Sequence, residues 1–361
     1  MKICRAALPL AWLYGTGVWI RNRLFDAGIL PSRKFDLPVV SIGNLTVGGT
    51  GKTPHTEYLA NLLRQEFTVA ILSRGYKRTS KGFHIVDPGC GTDLAGDEPH
   101  QMAHKFFDVV VAVDKNRRNG IKRLTDGSIT PTPQVVLLDD AYQHRYVKPG
   151  LSLLLTDYNR PFYDDMLLPA GRLREPISEK RRADLFIVTK CPDDLNTEKR
   201  EEIRQRINPQ RGQEVYFTRI IYGKLQPMFF IRHELELSSL HDKMVLLLTG
   251  IASPEPIRKK IATYAERVIT ATYPDHHDFS DADFRTIEKS FKSLPEEKRL
   301  IVTTEKDASR LMGNNDLPND LKPLIYVLPI EVEFLDDAES FNHKIISYVR
   351  ENTRNRLFPE K

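Results

Sequence analysis

One segment limits the fold more than any other. A short apolar run, Val39–Ile42, leads directly into Gly43-Asn44-Leu45-Thr46-Val47-Gly48-Gly49-Thr50-Gly51-Lys52-Thr53, and from there into the amphipathic stretch His55–Arg64. Strand, glycine-rich turn and helix in that order make a phosphate cradle. Glycines let backbone N–H groups fold around anionic oxygens, and the helix presents its positive end to the same point. Lys52 would reach the β- and γ-phosphates of a nucleotide, and the Thr53 hydroxyl would ligate Mg²⁺. The expected binding residues are Thr46, Val47, Gly48, Gly49, Thr50, Gly51, Lys52 and Thr53, with a nucleotide and Mg²⁺ as ligands. The usual G-x-x-x-x-G-K-[ST] spacing wants glycine at position 46, and this chain has Thr46. A purely structural glycine turn is the alternative.

The pattern around this loop predicts an α/β fold. Val69–Ser73, Val109–Val113, Val135–Asp139, Ser152–Thr156 and Leu185–Thr189 read as further strands, separated by helical stretches such as Glu98–Phe107. Alternation of this kind favours a P-loop NTPase-like, mostly parallel sheet covered by helices. Near Phe217 the texture changes. Phe217–Tyr222 and Pro227–Ile231 read as two strands without an intervening helix, a β-ribbon linker, and a second α/β series runs from Met244 to Leu328. The expected organisation is an amino-terminal segment 1–30, a nucleotide-binding domain 31–215, a linker 216–240 and a smaller α/β domain 241–361.

The amino terminus is unlike the rest. Ala6–Ile20 is a long uncharged run holding both tryptophans, Trp12 and Trp19, seven residues apart and so on one helical face. Six Lys/Arg lie between Met1 and Lys34, including Lys2 and Arg5, against one acid, Asp26. Fifteen residues are short of the roughly 20 needed to span a bilayer. Indole rings and flanking cations suit a helix lying at an anionic lipid surface. A core helix and a signal peptide are the competing readings. The whole chain carries 53 Lys/Arg against 48 Asp/Glu, a net charge of +5, too small for a nucleic-acid partner. Three scattered cysteines, Cys4, Cys90 and Cys191, indicate neither a disulfide framework nor a zinc knuckle, and point to a reducing compartment.

The run Val135–Leu138 ends in Asp139-Asp140. At the carboxyl end of a parallel strand, one of these carboxylates would face the phosphates and hold Mg²⁺ directly or through water. Thr189-Lys190-Cys191-Pro192-Asp193 echoes a base-reading loop, but Asp193 falls one position late.

Seven motifs together resemble the tetraacyldisaccharide 4'-kinases, lipid A pathway enzymes that phosphorylate a membrane-embedded glycolipid. They are IGNLTVGGTGKTP (42–54), SRGYKR (73–78), GDEP (96–99), LDDAYQHR (138–145), LPAGRLREP (168–176), PDHH (274–277) and TTEKDA (303–308). Thr46 agrees with this family's form of the loop. Outside 42–308 the likeness is only general. The resemblance implies that Asp97 is the general base on the sugar hydroxyl and His276 its orienting partner. It places Arg117 near the transferring phosphoryl group, and Asp139, Asp140 and His144 in the metal and site-lining cluster. Tyr76 and Glu175 correspond to further site positions. TTEKDA reads as structural or as part of a domain interface. The implied partners are an acylated glucosamine disaccharide 1-phosphate and a membrane surface, with no protein partner required. The implied location is the cytoplasmic face of the bacterial inner membrane. Two rivals share the phosphate loop: a nucleotide-gated ATPase or GTPase switch, and a kinase for a soluble metabolite.

Overall fold

The computed structural model describes residues 4–230 and 233–357, the last four of these by backbone alone. Lys2 and Ile231, which figure in the expectations above, lie outside the described residues. Helix α1 (Leu8–Asp26) precedes the first strand, β1 (Val39–Asn44), and α2 (Lys52–Leu63) follows the phosphate loop. Then come β2 (Val69–Ser73), β3 (His84–Ile85), α3 (Thr92–Ala95), α4 (Asp97–Lys105), β4 (Val110–Val113), α5 (Arg117–Thr125) and β5 (Val135–Leu138). β6 (Leu151–Asp157), β7 (Leu185–Thr189), α6 (Thr197–Ile207) and β8 (Glu214–Tyr222) complete the first series. The second comprises β9 (Gln226–Pro227), β10 (Met244–Thr249), α7 (Glu255–Ala262), β11 (Arg267–Thr272), α8 (Asp281–Lys292), β12 (Arg299–Thr304), α9 (Glu305–Met312) and β13 (Ile325–Leu328). β14 (Ile330–Phe334) and α10 (Ala338–Leu357) close the chain.

Two sheets result. The larger has the order β14-β8-β7-β6-β1-β5-β2-β4-β3, parallel from β8 to β4 with an antiparallel strand at each edge. Its central strands are apolar at nearly every position because helices cover both faces. Val40 and Ile42 of β1 face one core with Leu59 and Leu63 of α2, while Val39 faces the opposite core with Ile121 and Leu124 of α5. Parallel pairing has a further consequence for function. It brings the carboxyl ends of β1, β2, β4, β5 and β7 to a single edge, and β1 sits between β5 and β6 at the centre of that edge.

The smaller sheet has the order β11-β10-β12-β13-β9, the first four parallel and β9 antiparallel. Leu246 and Leu248 of β10 enter one core and Val245 and Leu247 the other.

The connection between the sheets corrects two expectations. Phe217–Tyr222 does not pair with the Pro227 segment. It pairs along β14, Thr218 opposite Phe334 and Tyr222 opposite Ile330, while Gln226–Pro227 joins β13. The chain thus leaves the large sheet through β8 and returns through β14. Residues 330–357 consequently belong with the first sheet, not with a domain running from 241 to 361. Phe341, Ile345 and Val349 of α10 are buried in the same core as α2 and β1. The apolar spacing of α10 reveals that it is amphipathic but not which sheet it covers.

Helix α1 inverts the usual pattern of a surface helix. Its buried positions are Ala11, Gly15, Asn22 and Phe25, whereas Leu10, Trp12, Leu13, Trp19 and Ile20 are exposed. It is therefore not a core helix. Its inner face is anchored by polar bonds: Tyr14 Oη to the Arg174 carbonyl at 2.8 Å, Arg21 to the Gln143 carbonyl at 2.8 Å, and Asp26 to Arg145 at 2.6 Å. No helix among the described residues is long and apolar enough to cross a membrane.

The packing of α10 makes a testable point. Phe341 is 1% exposed and lies 4.6 Å from the Phe334 ring and 5.1 Å from that of Tyr216. Phe341→Ala is expected to cost about 3–5 kcal/mol. It should lower the denaturant midpoint of the transition in which nucleotide binding is lost. An unchanged midpoint would show that α10 does not hold the large sheet.

Candidate active site

The phosphate loop is held from three sides. Val47 N–H donates to the Arg172 carbonyl at 2.9 Å and Arg174 N–H to the Leu45 carbonyl at 2.7 Å, so Thr46 lies in a short antiparallel bridge with Leu173. That explains the missing glycine: position 46 is held by strand-like pairing and has no positive φ. Asn44 Nδ2 donates to Thr50 Oγ1 at 2.8 Å, and Thr189 Oγ1 donates to the Thr50 carbonyl at 2.9 Å. Lys190 reaches from the end of β7 to the Gly49 carbonyl and pairs with Asp157 at 2.8 Å. Gly51, with φ +82°, turns the chain into α2 in a conformation that costs glycine little. Beneath it, His55 Nδ1 donates to the Gly51 carbonyl at 2.7 Å, which leaves Nε2 to accept from Thr218 Oγ1 at 3.0 Å. Burial lowers the His55 pKa to about 4, so this neutral tautomer persists at physiological pH.

Lys52 and Thr53 open α2, and Lys52 Nζ lies 3.6 Å from Asp140. Asp140 also meets Arg174 at 3.3 Å. Burial works against its charge, but Lys52 and Arg174 outweigh it and hold the carboxyl below the ordinary aspartate value. Asp139 is different. It is buried, accepts from Thr56 Oγ1 at 3.2 Å and Ser73 Oγ at 3.1 Å, and has its pKa raised by burial and by Asp140. Arg117 lies behind this pair, 3.4 Å from the Asp139 carbonyl and 3.2 Å from that of Asp114. Its Nε has no hydrogen-bond partner among the described residues, and burial lowers its pKa to about 10. His144 joins the same cluster. Burial first, then Arg117, Arg21, Arg118 and Arg74, lower its pKa to about 4.

Thr53, Asp139 and Asp140 offer oxygen donors of the kind a hard cation takes, and hydrogen bonds from Thr56 and Ser73 fix the Asp139 carboxylate. Among the described residues no set of three or more His, Cys, Asp or Glu converges to hold a metal alone. That suits Mg²⁺, which takes one or two protein carboxylates and draws the rest of its shell from phosphates and water.

The remaining group, Asp97, belongs to the first half, and the second half supplies its partners. Gly96, with φ +88°, precedes α4, and a Cβ there would come within 2.8 Å of the Tyr76 carbonyl. This close passage brings Asp97, the first residue of α4, to the interface between the two sheets. Asp97 Oδ2 accepts from His276 Nδ1 at 2.7 Å and from Arg310 Nη2 at 2.6 Å. Burial pushes its pKa up, but Arg310 and then His276 bring it below the ordinary value. His276 has φ +61°, an uncommon conformation for a residue with a side chain, and the Tyr76 ring lies 5.4 Å from its own. Glu98 joins the two groups electrostatically. Burial and Asp139 raise its pKa to about 7, while Lys306 and Lys52 oppose the rise. The phosphate cradle and the acid pair thus lie within electrostatic range of Glu98, the neighbour of the imidazole-bound Asp97, and the second half completes the cluster.

A family model described as "Tetraacyldisaccharide-1-P 4'-kinase" matches residues 3–350. The tetraacyldisaccharide 4'-kinase of Phocaeicola vulgatus is 50% identical over 360 residues, covering 99% of this chain and 98% of that protein. That of Bacteroides thetaiotaomicron is 51% identical over 370 residues, covering 100% and 97%. The chain belongs to the tetraacyldisaccharide 4'-kinase family. A crystal structure of the Aquifex aeolicus family member LpxK in complex with ATP superposes with a TM-score of 0.73 at 32% identity, covering 95% of this chain and 98% of that one. Neither rival reading, switch nor soluble-metabolite kinase, is favoured by these likenesses.

Glu175 follows Arg174, the partner of Asp140. It is 1% exposed and binds Asn22 at 3.3 Å and Arg182, with Arg21 at 3.7 Å, so it fastens α1 beside the site. The echo of a base-reading loop resolves otherwise. Lys190 grips the phosphate loop, and Asp193 is an exposed partner of Arg219 at 3.2 Å. Sequence reasoning passed over Arg174, Glu98 and Lys306, although each stands inside a quoted motif. Arg310 lies just beyond TTEKDA and carries no local signal of its own.

The Lys190 brace predicts a binding effect. Lys190→Met removes a charged hydrogen bond, a loss of about 1.5 kcal/mol, so ATP affinity should fall roughly tenfold by equilibrium titration. An unchanged Kd would mean that the loop keeps its shape without Lys190.

Proposed function

We propose that the chain transfers the γ-phosphoryl group of ATP to the 4'-hydroxyl of a tetraacyldisaccharide 1-phosphate, the lipid A precursor, giving the 1,4'-bisphosphate. The observation that carries this reading is the Asp97–His276 bond, 2.7 Å long, made across the two halves. Asp97 accepts the hydroxyl proton as the sugar oxygen attacks the γ-phosphorus and the bond to ADP breaks. His276 donates from Nδ1 and keeps the carboxylate oriented. Lys52 and the loop amides, Thr46 to Thr53, hold the phosphates, and Arg117 offsets negative charge near the acid pair. Thr53, Asp139 and Asp140 would hold Mg²⁺, which when bound would supply charge neutralisation on the phosphoryl oxygens. Tyr76 and His144 line the cleft.

Two bodies divide these tasks: residues 31–222 with 330–357 bind the nucleotide, and 225–328 close over it. Closure would exclude water and suppress hydrolysis of ATP. Helix α1 rests on the membrane that contains the substrate, at the cytoplasmic face of the inner membrane. Trp12 and Leu13 are 77% and 74% exposed, and Arg23 lies over the Trp19 ring at 5.4 Å. Large apolar side chains facing outward, with cations among them, match the headgroup region of an anionic bilayer.

Two experiments test this reading. With detergent-dispersed acylated disaccharide 1-phosphate and labelled ATP, Asp97→Asn should lose about 10²–10⁴-fold in kcat while still binding nucleotide. Lost ATP affinity with intact turnover at saturation would contradict the base role. Replacing Trp12 and Trp19 together by serine should weaken sedimentation with anionic liposomes without changing thermal stability. Equal sedimentation would exclude α1 as the membrane contact.

A further inference from the structure

The two oxygens of Asp97 are not equivalent. Oδ2 meets three donor atoms from the second half: His276 Nδ1 at 2.7 Å, Arg310 Nη2 at 2.6 Å and Arg310 Nε at 3.0 Å. Among the described residues, no hydrogen-bond donor meets Oδ1. Arg310 is itself fixed before it reaches Asp97. Its Nη1 donates to the Gly250 carbonyl at 3.0 Å and to Asp307 Oδ1 at 2.9 Å, and Asp307 is in turn held by Thr304 Oγ1 at 2.8 Å. Its side chain is 3% exposed. A guanidinium this immobile is a poor electrostatic ornament and a good template, because its planar donors have one direction in which to point.

The element carrying Arg310 is fastened at its other end as well. Glu305, the first residue of α9, pairs with Lys105 at the end of α4 at 2.8 Å, and Lys105 also holds Glu57 of α2 at 2.7 Å. Helix α9 is thereby strapped along α4 from Lys105 to Asp97. The orientation of the Asp97 carboxylate then depends on how the second sheet docks on the first.

We infer that Arg310 is a positioning residue of the phosphoryl transfer, which with His276 occupies Oδ2 of Asp97 and leaves Oδ1 as the oxygen that takes the substrate's hydroxyl proton. This rests on the reading of Asp97 as the base. It assigns the roles within the carboxylate: one oxygen is for holding and the other is for chemistry. The proton passes from the sugar hydroxyl to Oδ1 as the oxygen–phosphorus bond forms, and it stays on Asp97 until product leaves.

Several charged groups surround Asp97 and bear on its ionisation. From α9 come Arg310, Asp307 and Lys306, the last 3.4 Å from His276 Nε2. From the loop after β11 come His276 and Asp275, and Asp275 is neutralised by Lys306 at 2.8 Å. Glu98 and His100 lie on α4 itself. Of these groups, Arg310 and His276 alone bond Asp97 directly among the described residues. With Arg310 gone, the burial that raises a carboxyl pKa is less opposed. The sign follows: a base must be ionised, so raising its pKa moves the acidic limb of kcat to higher pH.

Arg310→Ala and Arg310→Lys are to be compared with Asp97→Asn in lipid-transfer assays from pH 5 to 8, with ATP affinity measured in parallel. The expected result for R310A is a kcat lowered at least tenfold, little change in KM for ATP, and an acidic limb moved up by about 1 pH unit or more. R310K restores the charge but not the two-donor geometry. It should bring the limb part of the way back while kcat stays low. Wild-type kcat and limb in both variants would overturn the role of Arg310. So would an R310A that no longer binds ATP together with an R310K of wild-type profile. If D97N is inactive in either case, the base reading survives alone; a fully active D97N would remove that reading and this one together.

Discussion

A single carboxylate has to satisfy two separately folded sheets. Asp97 begins a helix of the nucleotide-binding half, yet its strongest hydrogen bonds come from His276 and Arg310 of the other half. A buried or half-buried carboxylate without such partners is costly, so the contact that readies the base also favours docking of the two halves. Coupling of this kind gives the two-sheet architecture its chemical use. On the proposed reading, the base takes its working geometry only where the second sheet is docked.

The rest of the site follows from parallel pairing. Because β1, β2, β5 and β7 run the same way, the phosphate loop, Ser73, Asp139 and Lys190 arrive at one edge without long excursions. Once there, they are held in conformations that an isolated peptide would avoid. Asp140, Lys190 and His276 all have positive φ, at +45°, +56° and +61°. Such residues cost of the order of 1–3 kcal/mol each and persist where surrounding bonds over-determine them. Here the bonds are visible: Lys52 and Arg174 on Asp140, Gly49 and Asp157 on Lys190, and Asp97 on His276.

Legibility in the sequence tracked the range of the interaction. The phosphate loop, the acid pair and most strands were readable because each depends on neighbours within a few residues. Val69–Ser73 and Leu185–Thr189 have the expected bounds. The partner of β8 was not readable, since Thr218 meets Phe334 across more than a hundred residues and nothing in either segment encodes the other. Glu175 illustrates a subtler limit. Its motif marks it as important, but only the structure shows that it holds Arg21 and Asn22 of α1. Arg310 marks the far end of this scale. An arginine two residues past a motif is an ordinary helix residue until the fold brings it to Asp97.

Helix α1 connects these observations to the proposed substrate. Its inward groups do not end in the body of the protein but at the rim of the site. Tyr14 bonds the Arg174 carbonyl, the Arg174 amide bonds Leu45 in the phosphate loop, and the Arg174 side chain holds Asp140 opposite Lys52. The large apolar residues on its other face are therefore tied in place relative to the phosphate loop. For a soluble acceptor that placement would be a liability, because exposed tryptophan and leucine invite aggregation. For an acceptor whose acyl chains remain in a bilayer it is a geometric requirement. The sugar hydroxyl lies close to the headgroup plane, so the transferring phosphoryl group must be brought to that plane. With one face on lipid, as proposed, and the rim of the phosphate site on the other, α1 would do so without any large movement of the glycolipid.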